Sequence, residues 1–222
     1  QEINLYDFAT LTKVKTIFRA ADHKQFARLN SYTFTPNEQQ LLIAVNSEYI
    51  YRHSFIADYF LYDLASGDLK KVSDKRIQVP TFSPNGKQLA FVYENNLYLY
   101  DLATGEETQI TTDGQKNAII NGTADWVYEE EFGFNKALTF TADGEMICWI
   151  RYDESKVKTY ALEMFKGLSP ARKQYSTYPG EYAYKYPKAG EDNSKPSVWS
   201  YDIKSHQTRQ LQIPVDADGY IM

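Results

Sequence analysis

Three consecutive glutamates follow an aromatic-rich stretch in the string Asp125-Trp126-Val127-Tyr128-Glu129-Glu130-Glu131. Because burying a carboxylate is costly unless a cation meets it, adjacent carboxylates beside apolar rings predict a site that a positive group completes. An ammonium suits such a site, since it has three hydrogen-bond donors and no acceptor, and two carboxylates would satisfy it. The alternatives are an exposed acidic turn held by its aromatic residues, or an ion pair with a Lys or Arg of the same chain.

A second candidate is Arg52, in the string Tyr51-Arg52-His53-Ser54 that interrupts an otherwise strand-like stretch. The guanidinium group is a rigid fork of five donors and suits a carbonyl or a carboxylate. The alternative is a charge that is solvated or paired across two strands. His53 is interpreted as a hydrogen-bonded structural histidine.

Histidine and cysteine usage predicts no metal site and no cofactor. The three histidines, His23, His53 and His206, are widely spaced and form no metal-ligand pattern. The single cysteine, Cys148, cannot pair within the chain, and its apolar neighbours predict a small core residue on a strand.

The composition indicates a strand-rich globular fold. Aromatic residues make up 15% of the 222 residues, with 19 Tyr and 12 Phe, which favours β structure and excludes disorder. The net charge is −5, and no run of Lys or Arg is longer than two residues. Nucleic acid is therefore not an expected partner.

An internal repeat organises the chain. Three times a Phe leads a turn into an apolar run, and the copies begin at Phe34, Phe82 and Phe140. A second element, a strand closed by an Asp-containing hairpin turn, recurs at 61–67, 97–105 and 199–205, with an early copy at 4–10. The repeat length of about 50 residues is typical of four-stranded propeller blades.

These repeats predict an all-β chain that forms a partial β-propeller, with three to four four-stranded antiparallel blades. The predicted blade units are about 1–30, 31–75, 76–120 and 136–213. An acidic segment, 121–135, is interposed between blades, and a Tyr- and Lys-rich arm at about 153–196 projects from the last unit. Since closed propellers have about four to eight blades, the chain is expected to be a fragment or to be completed by another chain.

Three strings together resemble the dipeptidyl peptidase IV family, a group of prolyl oligopeptidase-like serine peptidases. They are Tyr51-Arg52-His53-Ser54, then 125–131, and then Tyr186-Pro187-Lys188-Ala189-Gly190, in the order the family has them. The repeat architecture is similar to the family's eight-bladed propeller, and Phe132-Gly133-Phe134 resembles the bacterial members.

The resemblance implies roles for individual residues. Glu130 and Glu131 look like the pair that binds the free amino terminus of a peptide, and Arg52 looks like the residue that contacts the carbonyl of its penultimate residue. Substrates would then be peptides with a free N-terminus and Pro or Ala second, which lose Xaa-Pro or Xaa-Ala dipeptides. The arm at 153–196 is similar to the one through which the family forms homodimers. Bacterial relatives imply export to the periplasm or cell envelope.

The family's chemistry needs a serine, histidine and aspartate on an α/β-hydrolase domain, with the serine in a G-x-S-x-G turn. The nearest string here, 167–171, lacks the second glycine and has Pro170 after Ser169. The hydrolase domain is therefore expected beyond this chain, which alone should be inactive. The alternatives are a pseudo-peptidase without its serine, a propeller that only binds proteins, and a related tripeptidyl peptidase. Asn121-Gly122-Thr123 is a glycosylation sequon only in a eukaryotic source.

Overall fold

A computed structural model describes residues 1–26, 28–216 and 219–222 of the chain. These residues divide into two compact units, one of residues 1–48 and 57–76 and the other of residues 49–56 and 77–222. Residues 49–56, which include the turn at 50–54 between two strands of the first unit, are counted in the second unit. The predicted blade unit 1–30 includes residue 27, which lies outside the described residues.

The first unit contains a hairpin and a four-stranded antiparallel sheet. The hairpin pairs β1 (Glu2–Tyr6) with β2 (Lys13–Arg19), and the sheet has the order β3 (Leu29–Phe34), β4 (Gln40–Tyr49), β5 (Phe55–Asp63), β6 (Leu69–Lys71). A 3₁₀ turn covers Ala20–Asp22. The apolar run Leu41–Val45 is almost entirely buried on β4 and packs with Ile3 and Phe18, because a strand covered on both faces needs apolar residues at consecutive positions.

The second unit begins with another four-stranded antiparallel sheet. Its strands are β7 (Gln78–Phe82), β8 (Gln88–Tyr93), β9 (Asn96–Asp101) and β10 (Glu107–Gln109), in the order β10-β9-β8-β7. Residues 89–92 of β8 are fully buried. They repeat the pattern of β4, as the sequence repeat predicts.

The remaining elements build a five-stranded sheet, a short helix and a separate hairpin. They are β11 (Ile119–Asn121), α1 (Trp126–Glu131), β12 (Leu138–Phe140), β13 (Met146–Asp153), β14 (Thr159–Met164), β15 (Gly180–Lys185), β16 (Lys195–Asp202) and β17 (Gln207–Leu211). The sheet has the order β11-β13-β16-β17, with β12 also paired to β13. The chain leaves the sheet after β13, forms the β14–β15 hairpin with a 3₁₀ turn at Lys173–Tyr175, and returns with β16.

The repeated Asp in the sequence has the same task in three hairpins. The Oδ1 atoms of Asp63, Asp101 and Asp202 accept hydrogen bonds from backbone N–H groups three residues later, at 2.9, 2.8 and 2.7 Å. The short Asp side chain thus accepts hydrogen bonds from backbone N–H groups of the turn, which have no partner on a neighbouring strand. Because this bonding is local, the same Asp-containing turn can be recognised in the sequence at each of the three hairpins.

The acidic segment interrupts one edge of the five-stranded sheet. β11 pairs with 151–153 and β12 with 147–149, both on β13, so the expectation that the segment lies between blades is wrong. At Ile150, the residue between these two pairings, the N–H donates to Ala137 O at 2.9 Å and the carbonyl accepts from Gly122 N at 3.1 Å. Ala137 N donates in turn to Gly122 O at 2.9 Å, which closes the neck of the insertion.

Gly122 is the residue that this neck requires. Its φ is +80°, and a Cβ atom there would lie 3.1 Å from Val92 and 3.2 Å from Leu138. A larger residue would meet both backbone strain and crowding. The preceding Asn121 is fully buried, where its side chain accepts from Trp149 Nε1 at 3.1 Å and donates to Asp113 at 2.9 Å. The sequon residue is therefore a structural residue of the sheet.

The core of the second unit lies between its two large sheets. Ala90, Val92 and Leu97 of one sheet pack with Ile147 and Trp149 of the other. Cys148 lies on β13 as predicted, but on the opposite face, where it is partly exposed, so the prediction of a core residue is wrong. The predicted fold class is confirmed, because the described residues form antiparallel sheets with one short α-helix.

Within 1–26, 28–216 and 219–222 no helix is long and apolar enough to cross a membrane.

Candidate functional site

The helix α1 carries the three glutamates and is fixed at both ends. Asp125 caps its N-terminus by accepting a hydrogen bond from Tyr128 N at 2.9 Å. The helix ends at Glu131 with Phe132 as its C-cap, and the following Gly133, whose φ is +73°, turns the chain out of the helix. Tyr128 is buried and packs edge-on against Tyr152 of β13, with ring centroids 4.8 Å apart. The position of α1 is therefore fixed, and each of its three glutamates lies in different surroundings.

Glu129 points into the protein. Its side chain is 4% exposed, and its Oε1 atom accepts hydrogen bonds from His53 N at 2.6 Å and Ser54 N at 2.8 Å. Two backbone donors compensate the loss of water around this carboxylate. Glu129 therefore joins α1 to the loop at 50–54.

Glu130 forms an ion pair with Arg52. The Arg52 Nε atom donates to Glu130 Oε2 at 2.5 Å, and the two side chains are 61% and 23% exposed. Hydrogen bonding with Tyr51 and with Glu130 raises the pKa of Arg52 above its ordinary value. Glu130 thus forms an ion pair with an Arg of the same chain, which was one of the alternatives for the acidic cluster. The Arg52 side chain nevertheless stays accessible to a ligand.

Glu131 is the last residue of α1 and is exposed. It lines a cavity of about 830 Å³ together with Trp126, Phe132, Tyr186, Lys188 and Tyr220. The structure thus brings Glu130 and Arg52 into contact and puts Glu131 on the wall of the neighbouring cavity.

The three sequence strings meet at Trp126. Its ring centroid lies 5.9 Å from that of Tyr51 and 4.2 Å from that of Tyr186, and Tyr51 also contacts Tyr184 of β15 at 5.2 Å. Burial in this cluster is the main cause that raises the pKa of Tyr51. Aromatic packing thus connects the arm, the loop at 50–54 and α1 within one unit.

Two further side chains hold the loop at 50–54. Arg172 donates to Ile50 O at 2.8 Å and to Tyr184 Oη at 3.0 Å, and its guanidinium lies 3.6 Å from the ring centroid of Tyr182. Asn135 donates to His53 O at 3.0 Å. His53 itself is exposed, and the bonds that hold it involve its backbone N–H and carbonyl, although its side chain was expected to be the bonded group.

Two buried carboxyl groups lie behind the helix. Asp125 also accepts a hydrogen bond from Ser194 Oγ, and burial raises its pKa despite this bond. Glu154, directly after β13, is 6% exposed. Burial and then the charge of Asp125 raise the pKa of Glu154 to about 7, while Lys185 opposes the shift.

Among the described residues, no group of three or more His, Cys, Asp and Glu side chains could hold a metal ion. Ser169 is exposed on the excursion between β14 and β15.

No role for Glu129, Asn135 or Arg172 was predicted from the sequence. A helical angle of about 100° per residue indicates that three successive glutamates point apart. It does not indicate which of them is buried. Arg172 and Asn135 reach the loop from segments far along the chain, and no sequence pattern signals those contacts.

Comparison with known proteins gives a consistent result. The family model of the dipeptidyl peptidase IV (DPP IV) N-terminal region matches residues 35–222. The dipeptidyl peptidase 4 of Trichophyton rubrum is 35% identical over 193 residues, which are 84% of this chain and 24% of that protein. The dipeptidyl aminopeptidase B of Saccharomyces cerevisiae is 30% identical over 177 residues, which are 79% of this chain and 21% of that protein.

Solved structures agree. The crystal structure of Porphyromonas gingivalis dipeptidyl peptidase 4 matches 99% of this chain and 31% of its own, with 37% identity and a TM-score of 0.87. The chain spans about a quarter of the length of the curated relatives it matches. From the repeat, the sheets, the three convergent strings and these matches, it follows that the chain belongs to the dipeptidyl peptidase IV family and corresponds to its N-terminal propeller region.

Proposed function

We propose that this chain is the substrate-binding propeller portion of a serine dipeptidyl peptidase. In this proposal Glu130 and Glu131 bind the ammonium group of a peptide N-terminus, and Arg52 binds a carbonyl group of the same peptide. The observation that carries it is the Arg52–Glu130 ion pair at the end of α1, next to the exposed Glu131.

The charges of these three residues support a cationic ligand. Two carboxylates and one guanidinium leave one negative charge on an accessible surface, and one ammonium group would neutralise it. Glu129 is left out of this count because its side chain is 4% exposed and bonds to the loop at 50–54, and not because its neutral N–H partners cancel its charge. Arg52 shares its Nε with Glu130 and remains largely exposed, so its fork is available for a neutral acceptor such as a peptide carbonyl.

The expected reaction follows from this anchor. As the resemblance to the dipeptidyl peptidase IV family implies, a fixed ammonium would allow only two residues before the scissile bond, so the full-length protein would release Xaa-Pro or Xaa-Ala dipeptides. The Ser-His-Asp triad would come from an α/β-hydrolase domain of the same protein, outside this chain. The catalytic step is therefore not assigned to any residue between 1 and 222.

Hydrolysis of a Gly-Pro chromogenic amide by the full-length protein tests the proposal. The variants Glu130→Gln and Glu131→Gln are compared with Glu106→Gln, a change at an exposed glutamate in the turn between β9 and β10. Loss of one partner of a desolvated charge pair costs about 2 to 5 kcal/mol, so kcat/KM is expected to fall by about 30-fold to several thousand-fold. The control variant keeps wild-type activity.

A substrate whose amino group is acetylated provides an independent check, because it lacks the ammonium. It is expected to be a poor substrate for the wild type, and the Glu131→Gln change has little further effect on it. An active wild type that is indifferent to both substitutions would make the glutamates structural. An inactive full-length protein would favour the pseudo-peptidase.

We also propose that the full-length protein is an exported homodimer that associates through the arm at 153–196. Three aromatic residues of this arm, Tyr160, Phe165 and Tyr178, are 41, 53 and 79% exposed. Aromatic residues are enriched at protein–protein interfaces, which supports the arm as the place of contact.

A further inference from the structure

The loop at 50–54 and α1 are joined by two neighbouring connections. Glu129 accepts from the backbone of His53 and Ser54, and the next residue, Glu130, pairs with Arg52. The buried connection uses backbone atoms of the loop, whereas the exposed one uses the Arg52 side chain. The first therefore sets where the backbone of Arg52 lies relative to α1.

Both N–H groups bond to the same oxygen of Glu129. The distances from His53 N and Ser54 N to Oε1 are 2.6 and 2.8 Å. A single correctly placed acceptor is therefore what the loop needs. This distinguishes Glu129 from an ammonium ligand, for which the negative charge itself would matter most.

The burial of Glu129 also separates it from its neighbours. At 4% exposure, with one oxygen engaged by two donors, its carboxylate is much less accessible than that of the exposed Glu131. Asn135, which donates to the His53 carbonyl at 3.0 Å, restrains the same peptide group from its other side.

We propose that Glu129 is a positioning residue for peptide binding. It holds the loop at 50–54 so that Arg52 and the Glu130–Glu131 pair stand at the spacing that one peptide N-terminus requires. This inference rests on the proposed function, because it concerns the geometry of the same anchor.

The test uses the full-length protein and two substitutions of Glu129. Glu129→Gln keeps an oxygen acceptor for both N–H groups, while Glu129→Ala removes it and leaves two buried donors unsatisfied. We expect KM for the Gly-Pro amide to stay within about 3-fold of wild type in the Gln variant and to rise about 10- to 100-fold in the Ala variant. In both variants kcat is expected to change little.

A chemical readout separates positioning from general damage. The rate at which a small fluorophosphonate labels the catalytic serine needs no peptide anchor, so it is expected to be the same in the wild type and both Glu129 variants. A labelling rate that falls together with kcat/KM would mean that Glu129 only stabilises the fold, and would overturn the proposal.

The Glu129→Ala protein has a cavity and unsatisfied donors, and it can fail to fold. In that event the result for Glu129→Gln is the one that tests the proposal. A fall in kcat/KM as large as that of Glu131→Gln would identify Glu129 as a direct ammonium ligand and would refute the positioning role. Asn135→Ala gives a second measure, because loosening the same loop is expected to raise KM about 3-fold or more. An unchanged KM in Asn135→Ala beside a damaged Glu129→Gln would also refute it.

The parallel Glu131→Gln measurement keeps the two proposals apart. If Glu131→Gln has wild-type kcat/KM, the proposed function itself fails. If Glu131→Gln is impaired while Glu129→Ala folds and keeps the wild-type KM, only the positioning role fails.

Discussion

Replacement of Glu154 by glutamine is expected to stabilise the protein at neutral pH. Glu154 is 6% exposed, and burial, followed by the charge of Asp125, raises its pKa from 4.5 to about 7. The folded protein therefore keeps a proton on this carboxyl at pH values where the unfolded chain has already released it.

The sign and the size of the effect follow from that difference. Because the folded-state pKa is the higher one, the folded state binds more protons between about pH 4.5 and 7, and the free energy of unfolding falls as the pH rises through this window. One pKa unit corresponds to about 1.4 kcal/mol, so the full cost above pH 7 is about 3 kcal/mol. Glutamine is neutral at every pH and removes this cost.

The assay is urea unfolding of the full-length protein at pH 5 and pH 8. The gain in the free energy of unfolding of Glu154→Gln over wild type is expected to be about 1 kcal/mol at pH 5 and about 3 kcal/mol at pH 8. Glu106→Gln removes an exposed carboxyl from the turn between β9 and β10 and is expected to show no gain at either pH.

Two results would refute this reasoning. A gain of equal size at both pH values would show that glutamine improves packing and does not relieve a buried charge. A loss of stability at pH 8 would show that the ionised carboxylate has partners, such as Lys185, that outweigh its burial.

Two further changes test the support of the helix and the role of the arm. Asp125→Ala is expected to lower the free energy of unfolding by about 1 to 2 kcal/mol, because Tyr128 N and Ser194 Oγ lose their acceptor, whereas Asp125→Asn keeps an oxygen there. Equal losses in the two variants, measured by urea unfolding, would mean that the charge matters and the cap does not. Replacing Phe165 and Tyr178 together by Asp is expected to convert the proposed dimer of the full-length protein into a monomer in light scattering, while Phe8→Asp, outside the arm, leaves the mass unchanged. A dimer that survives the double replacement would exclude these arm residues from the interface.

The sequence predicted most reliably what local chemistry determines. The hairpin turns at Asp63 and Asp101 depend on bonds within three residues, so each repeat could be recognised from its own letters. The apolar runs on β4 and β8 likewise show burial on both faces. The face on which Cys148 lies was predicted wrongly, because β13 is covered on one side more than on the other and the run around it is apolar throughout.

The candidate site could be predicted only in part, for a physical reason. The strings that contain Arg52, Glu130 and Glu131 were identified through their resemblance to a family, and the structure brings Arg52 to Glu130. The binding roles of all three remain predictions. These residues are held in place by bonds from Glu129, Asn135 and Arg172 to the loop at 50–54. The bonded residues are from about 75 to more than 100 positions apart in the sequence. No periodicity or turn motif encodes contacts at such separations.

The closed neck at Gly122 and Ala137 has a consequence for how this surface can diversify. The hydrogen bonds at Ile150 are made by backbone groups of Gly122 and Ala137, so they do not depend on the side chains between these two residues. The conformational entropy lost on closing a loop changes slowly with its length. The segment inside the neck can therefore vary in length with little cost, provided that Asp125 and Tyr128 keep their contacts with Ser194 and Tyr152. The neck and these two residues together would then fix where α1 stands on the sheet, while the remaining positions of the segment are free to differ.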